Sequence, residues 1–206
     1  MAVSFDCFGT LVTADRPAEP WDAVAAELSA RGVAVPADWE AAYRSSHVDV
    51  DPLAELSLVD HVEAALASRG VDAEPTVIRD ALLTAFDGPV TGREGAHEAV
   101  EAAADRGPVG VCSNCSLPGL VERTLARADL DGAFDAVVTS VDCGRRKPHD
   151  VAFTTVCDRL GVDPPDLVHV GDDPRCDGGG RTAGVTVVLV DEVSLVDLPD
   201  WLEAHR

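Results

Sequence analysis

The sequence predicts an α/β fold, a parallel sheet with crossover helices that is interrupted by a small helical insert. Three observations predict it. A short apolar run with strand character occupies residues 2 to 6. About eighty residues then carry apolar positions at helical spacing. After Gly92, strand-like and helix-like segments alternate, which implies parallel strands joined by crossover helices.

The first strand, residues 2 to 6, leads from Asp6 into a turn at Gly9 and Thr10. From Glu19 to Phe86 the apolar residues recur as Trp21, Val24, Ala25 and Leu28; Trp39, Ala42 and Tyr43; Leu56, Val59, Val62, Ala65 and Leu66; and Val77, Ala81 and Leu82. Breaks fall at Arg31-Gly32, Pro36, Asp51-Pro52, Gly70 and Gly88-Pro89, so this insert reads as about four helices. Beyond it, a helix near residues 94 to 106 precedes a strand from Val109 to Cys112, and one near 117 to 128 precedes Ala136 to Thr139. A helix near 149 to 160 precedes Leu167 to Val170, a short one near 176 to 183 precedes Val185 to Val190, and the tail from Leu195 to His205 ends as a short helix. Ligand sites in such sheets lie outside the carboxyl ends of the strands. Those ends carry Asp6, then Ser113 and Asn114, then the loop through Lys147, then Gly171, Asp172 and Asp173.

The chain has 206 residues, 46% of them hydrophobic, enough for one α/β domain with an insertion. No stretch approaches the roughly 20 apolar residues of a membrane span, and no signal-peptide pattern opens the sequence, so a cytoplasmic protein is expected. The 37 acidic residues outnumber 16 basic ones, for a net charge of −21. Such a surface repels nucleic acid and anionic membranes. The bases are nearly all Arg, with Lys147 the single lysine; this composition resembles cytoplasmic proteins of extreme halophiles and predicts stability that rises with salt. Of six cysteines, only Cys112 and Cys115 have Cys-x-x-Cys spacing. One such pair cannot complete a structural zinc site, and reduced cysteines in or near the core are expected over a redox pair.

Four segments carry a family resemblance: Phe5-Asp6-Cys7-Phe8-Gly9-Thr10-Leu11; Val111-Cys112-Ser113-Asn114; Gly144-Arg145-Arg146-Lys147-Pro148, with Phe153 beyond it; and His169-Val170-Gly171-Asp172-Asp173-Pro174-Arg175-Cys176-Asp177, followed by Ala183-Gly184. In order and spacing they resemble the four motifs of the haloacid dehalogenase superfamily of hydrolases over nearly the whole chain. The resemblance implies a Rossmann-like core formed by residues 1–16 and 91–206, and a helical cap formed by 17–90. The cap is similar to that of the subgroup containing phosphoglycolate phosphatases and haloacid dehalogenases. It also implies Asp6 as nucleophile, Ser113 as donor to the transferring group and Lys147 as the cation balancing charge between them. Asp6, the main-chain carbonyl of Phe8 and Asp172 would hold Mg²⁺, with Asp173 near the metal. Gly9, Thr10, Ser113, Asn114 and Lys147 are candidate substrate contacts, and Arg16 and Arg44 candidate holders of an anionic tail. Asp177 either orients Lys147 or caps the next helix, and Gly178-Gly179-Gly180 reads as close helix packing.

Phe8 departs from the usual phosphatase pattern, which has an acid/base aspartate there. The expected function is a Mg²⁺-dependent phosphatase acting on a small phosphorylated metabolite whose leaving group needs no acid, or whose acid comes from the cap, with His47 and Asp49 as candidates. A 2-haloacid dehalogenase is the alternative: those enzymes carry an aromatic residue at this position, and Tyr43-Arg44 resembles their halide-side arginine. Against it stand Gly171-Asp172-Asp173, which has the phosphatase form, and Phe153 in place of their tyrosine. A catalytically weak ligand-binding or regulatory protein is the alternative of another class.

Overall fold

The computed structural model describes residues 1–205, so Arg206, the last residue of the 91–206 segment, lies outside the described residues. In chain order come β1 (Ala2–Phe5), β2 (Val12–Ala14), α1 (Pro20–Ala30), α2 (Trp39–Arg44), α3 (Leu58–Ala67), α4 (Pro75–Ala85) and β3 (Val90–Gly92). Then follow α5 (Ala96–Ala104), β4 (Val109–Ser113), α6 (Leu120–Arg127), β5 (Ala136–Thr139), α7 (Ser140–Cys143) and α8 (Asp150–Leu160). The last elements are β6 (Leu167–Gly171), β7 (Thr186–Leu189) and α9 (Leu198–Ala204).

Five strands form one parallel sheet in the order β5-β4-β1-β6-β7. β1, β4 and β6 are buried at every residue, the unbroken burial expected of parallel strands covered on both faces. The strand order reverses at β1, which has β4 on one side and β6 on the other. Asp6, Ser113 and Asp172 therefore leave three adjacent strands at one edge, the crevice where α/β sheets bind ligands.

The insert forms four helices, as its spacing predicts. Pro20 and Pro75 open α1 and α4, where a missing N–H costs nothing. The Ser57 hydroxyl caps α3 by accepting from the Val59 amide at 3.2 Å. α1 packs on α4 and α2, and α3 on α2 and α4. The Trp39 indole ties α2 to α1 by donating to the Trp21 carbonyl at 2.9 Å. None of the described helices is long and apolar enough to cross a membrane.

Two features depart from the sequence expectation. β2 and β3 pair antiparallel, Val12 with Gly92 through Ala14 with Val90, where the chain enters and leaves the insert. Three residues per strand, largely exposed, leave no alternation to read. The expected helix near 176 to 183 is a 3-10 turn, Asp177–Arg181. Its glycines do serve close packing, since a Cβ on Gly179 would lie 2.4 Å from the Cβ of Pro148.

Candidate active site

β1 delivers Asp6 one residue past the strand, with its amide continuing the ladder to the Val170 carbonyl at 2.8 Å. One carboxylate oxygen, Oδ1, accepts from the Cys7 amide at 2.7 Å and lies 3.2 Å from the Lys147 ammonium. Lys147 is almost wholly buried. Its Nζ also donates to the Cys112 carbonyl at 2.7 Å and to Asp177 Oδ1 at 2.5 Å. Burial works against the Lys147 charge, but the surroundings, above all the Asp6 carboxylate and also Asp177, hold its pKa above the usual lysine value. The ammonium is thus a fixed charge between two carboxylates, and Asp177 is the residue that orients it.

Asp177 is itself anchored. His169 Nε2 lies 3.0 Å from its Oδ1, the Asp173 amide donates to its Oδ2 at 3.0 Å, and Ser4 Oγ lies 2.9 Å from His169 Nδ1. Burial pulls the imidazole pKa down against the pull of Asp177, so the neutral ring carries its proton on Nε2, facing the acceptor-only carboxylate, and accepts from Ser4. Burial also opposes ionisation of Asp177, but its contacts with His169 and Lys147 hold the carboxyl well below the ordinary range. A Cβ on Gly171 would lie 2.2 Å from the Asp177 Cγ; only glycine leaves that carboxylate room.

Asp172 projects from the end of β6, and its Oδ1 accepts from the Thr10 hydroxyl at 3.2 Å. Gly9, at φ +87°, makes the same allowance for it: a Cβ there would stand 2.4 Å from Asp172 Oδ2. Asp6, Asp172 and Asp177 each offer an oxygen within 4.8 Å of the others. Burial first, then the neighbouring Asp6 and Asp177 carboxylates, push the Asp172 pKa up. Asp177 already serves Lys147 and His169, so of the three carboxylates Asp6 and Asp172 are left for a cation, beside the Phe8 carbonyl that the motif implies. Mg²⁺ is commonly held by one or two carboxylates with water completing its shell, and this donor set fits it.

Several expected roles change. Asp173 turns away from the acidic cluster: its carboxylate takes the Arg175 amide at 2.9 Å and the Arg175 guanidinium at 3.1 Å, and its side chain is not a metal ligand here. The Gly9 amide is committed to the Val12 carbonyl at 2.8 Å, and Thr10 is committed to Asp172. Asn114 grips the main chain of Lys147, donating to its carbonyl at 3.0 Å and accepting from its amide at 2.7 Å. Gly9 through its amide, and Thr10 and Asn114 through their side chains, thus build the site. The Ser113 hydroxyl has no protein partner among the described residues. Arg44 is exposed, paired with Glu40 at 2.8 Å and lying over the Trp21 ring at 4.8 Å. His47 bonds the Ala42 carbonyl at 2.7 Å within the insert. Cys112 and Cys115 approach different carbonyls, those of Ala152 and Leu117, and burial pushes the Cys112 thiol up to about 12.

A cavity of about 250 Å³ adjoins the site on the Ser113 side, lined among others by Arg16, Tyr43, Phe86, Asn114, Leu117 and Arg146. The Arg16 guanidinium carbon lies 5.3 Å from the centre of the Phe8 ring. Arg146 is held by Glu55 at 2.9 and 3.0 Å; Glu55 also accepts from the Ser140 hydroxyl. Sequence reading gave no role to Ser4, His169, Glu55 or Arg146. The signal for the first two was present: each is a lone polar residue in an apolar central strand, and they are register partners across β1 and β6.

The model of the haloacid dehalogenase-like hydrolase family matches residues 1–184. The (S)-2-haloacid dehalogenase of Xanthobacter autotrophicus is 32% identical over 100 residues, covering 47% of this chain and only 39% of that relative's length. A 2-haloacid dehalogenase structure from Pseudomonas syringae pv. tomato DC3000 superposes with a TM-score of 0.72 at 22% identity, covering 100% of both chains. A predicted phosphoglycolate phosphatase from Haemophilus somnus gives a TM-score of 0.59 at 17% identity over 100% of this chain and 97% of that one. At these identities the two structures speak to the fold.

Proposed function

The chain belongs to the haloacid dehalogenase-like hydrolases, and from that membership we propose a Mg²⁺-dependent phosphatase acting on a small phosphorylated metabolite through an aspartyl phosphate on Asp6. The observation that carries this reading is the pair of carboxylates, Asp6 and Asp172, with oxygens within 4.8 Å of each other. Two such groups repel unless a cation lies between them, and displacement of halide from carbon has no need of the second. Mg²⁺ bound there would neutralise charge on the phosphoryl oxygens.

In this reading an Asp6 oxygen attacks phosphorus, and the bond to the leaving oxygen breaks with its electron pair going to that oxygen. Water then cleaves the aspartyl phosphate, releasing phosphate and restoring Asp6. Lys147, fixed between Asp6 and Asp177, offsets the charge gathering on the transferring group. Ser113 donates to one of its oxygens. Phe8 has no proton to give, so the leaving group departs as an anion, which favours acidic leaving groups such as that of an acyl phosphate. The helices of residues 17–90 act as a cap over this edge of the sheet and belong to the same proposal.

A second reading, 2-haloacid dehalogenase chemistry, is favoured by Phe8, because halide leaves without a proton, and by the likeness to the Xanthobacter enzyme. The outward Arg44 and the acid at Asp172 weigh against it. Phosphate release from acetyl phosphate and p-nitrophenyl phosphate, with and without Mg²⁺, is measured beside chloride release from 2-chloropropionate. Mg²⁺-dependent phosphate release, faster from acetyl phosphate, is expected. Metal-independent chloride release would replace the first reading with the second.

A further inference from the structure

We propose that Arg16, carried on the face of Phe8, selects a carboxylate on the departing part of the substrate; the inference rests on the phosphatase reading. In a chain with 37 acids and 16 bases, Arg93, Arg106, Arg159 and Arg181 also lack an ion pair among the described residues, but of these unpaired arginines Arg16 is the one that lines the cavity beside the site. Arg16 has no carboxylate within ion-pair distance among the described residues, and its guanidinium lies over the Phe8 ring. The other cation in the same cavity is already neutralised, since Arg146 is bound to Glu55 through two contacts of 2.9 and 3.0 Å.

The cavity suits the purpose. At about 250 Å³ it is smaller than the roughly 300 to 1,000 Å³ of sites for drug-sized ligands, which limits the departing group to a small body. Tyr43, Phe86 and Leu117 give that body an apolar wall, and Asn114 places the cavity one residue from Ser113. An anionic body entering beside Asp6 and Asp172, in a chain this acidic, needs a local cation, and Arg16 supplies it.

Phe8 gains a second meaning from this arrangement. An acid at that position would face Arg16 and take its charge. A phenyl ring attracts the guanidinium through its π face and leaves the N–H groups for a ligand. The exchange that removes a proton donor thereby frees a cation.

The test uses 3-carboxyphenyl phosphate and its neutral near-isostere 3-carbamoylphenyl phosphate, at one low ionic strength. Calorimetry on the Asp6→Asn protein with Mg²⁺ compares their binding, and kcat/KM on the unaltered enzyme compares their turnover. A preference of about tenfold for the carboxylate is expected from one partly exposed charge-assisted contact. Arg16→Gln brings the binding ratio to about one, whereas Arg79→Gln, which removes an equal charge from the exposed face of α4, leaves it unchanged. Equal binding of the two probes, or a preference that survives Arg16→Gln, overturns the proposal. Discriminating binding without phosphate release from either probe or from acetyl phosphate leaves the carboxylate site standing and sinks the phosphatase reading instead.

Discussion

Replacing Asp177 by Asn perturbs the group on which the charge arrangement hangs, and its cost follows from the geometry. The carboxylate is 0% exposed and accepts three donors: Lys147 Nζ at 2.5 Å and His169 Nε2 at 3.0 Å on one oxygen, the Asp173 amide at 3.0 Å on the other. An Asn side chain has one accepting oxygen, so whichever way it turns, its NH₂ faces a donor. Lys147 also loses one of its two counter-charges. Breaking a buried pair from one side costs about 3–5 kcal/mol. Lys147 keeps Asp6 at 3.2 Å and the Cys112 carbonyl at 2.7 Å, which places the expected loss near the lower end, about 3 kcal/mol. At about 2–4 °C per kcal/mol for a chain of this size, Tm should fall by roughly 6–12 °C. Because the folded-state pKa of Asp177 is depressed, its contribution is present above the unfolded value, near 4, and is lost as pH falls toward the folded one. Thermal unfolding of both proteins at fixed salt should show a constant gap from about pH 5 to 8 that narrows below about pH 4. A gap under about 2 °C at pH 7, or one undiminished at about pH 3, would refute the pairing as the source of stability.

Two further outcomes follow from the same structure. Phe8→Asp restores a proton donor beside Asp6 and should raise kcat/KM for alkyl phosphates by at least about tenfold, a fraction of the roughly 10²- to 10⁴-fold worth of a placed acid, with little gain on acetyl phosphate; equal gains on both would assign the effect to something other than proton donation. The net charge of −21 should make Tm climb between dilute buffer and about 2 M KCl, where charges are screened within about 3 Å or less, and a flat profile would count against the halophile-like reading of the composition.

The strand-end residues were legible because a parallel sheet gives each of them a place: spacing alone brings Asp6, Ser113, Lys147 and Asp172 to one edge. The direction a side chain turns was not legible. Asp173 adjoins Asp172 in sequence, but Arg175, two residues on, captures its carboxylate, while Asp177 reaches the cluster from the following turn. Arg44 follows a cavity-lining tyrosine and yet pairs with Glu40 one helical turn back. The Asn114 side chain and the Gly9 amide looked like ligand contacts until the main-chain partners that use them came into view. In each case the decisive competitor is a local backbone or ionic contact that a motif does not encode. The β2–β3 pair stayed hidden for another reason, its strands being too short and too exposed to carry a period. The segment 53 to 58 was equally silent: its main chain bonds the Lys147 loop at Gly144 and Arg146, and no pattern announces such a strap.

The burial of the single lysine has a practical consequence for labelling chemistry. Acylating reagents modify neutral amines, and the one side-chain amine in this sequence is 1% exposed, protonated and held by two carboxylates and a carbonyl. Its acylation in the folded protein is therefore suppressed twice over, by access and by protonation. Reaction at Lys147 would report that the Asp6–Lys147–Asp177 arrangement has come apart, so a mass shift at one residue reads the integrity of the whole reacting centre without any substrate.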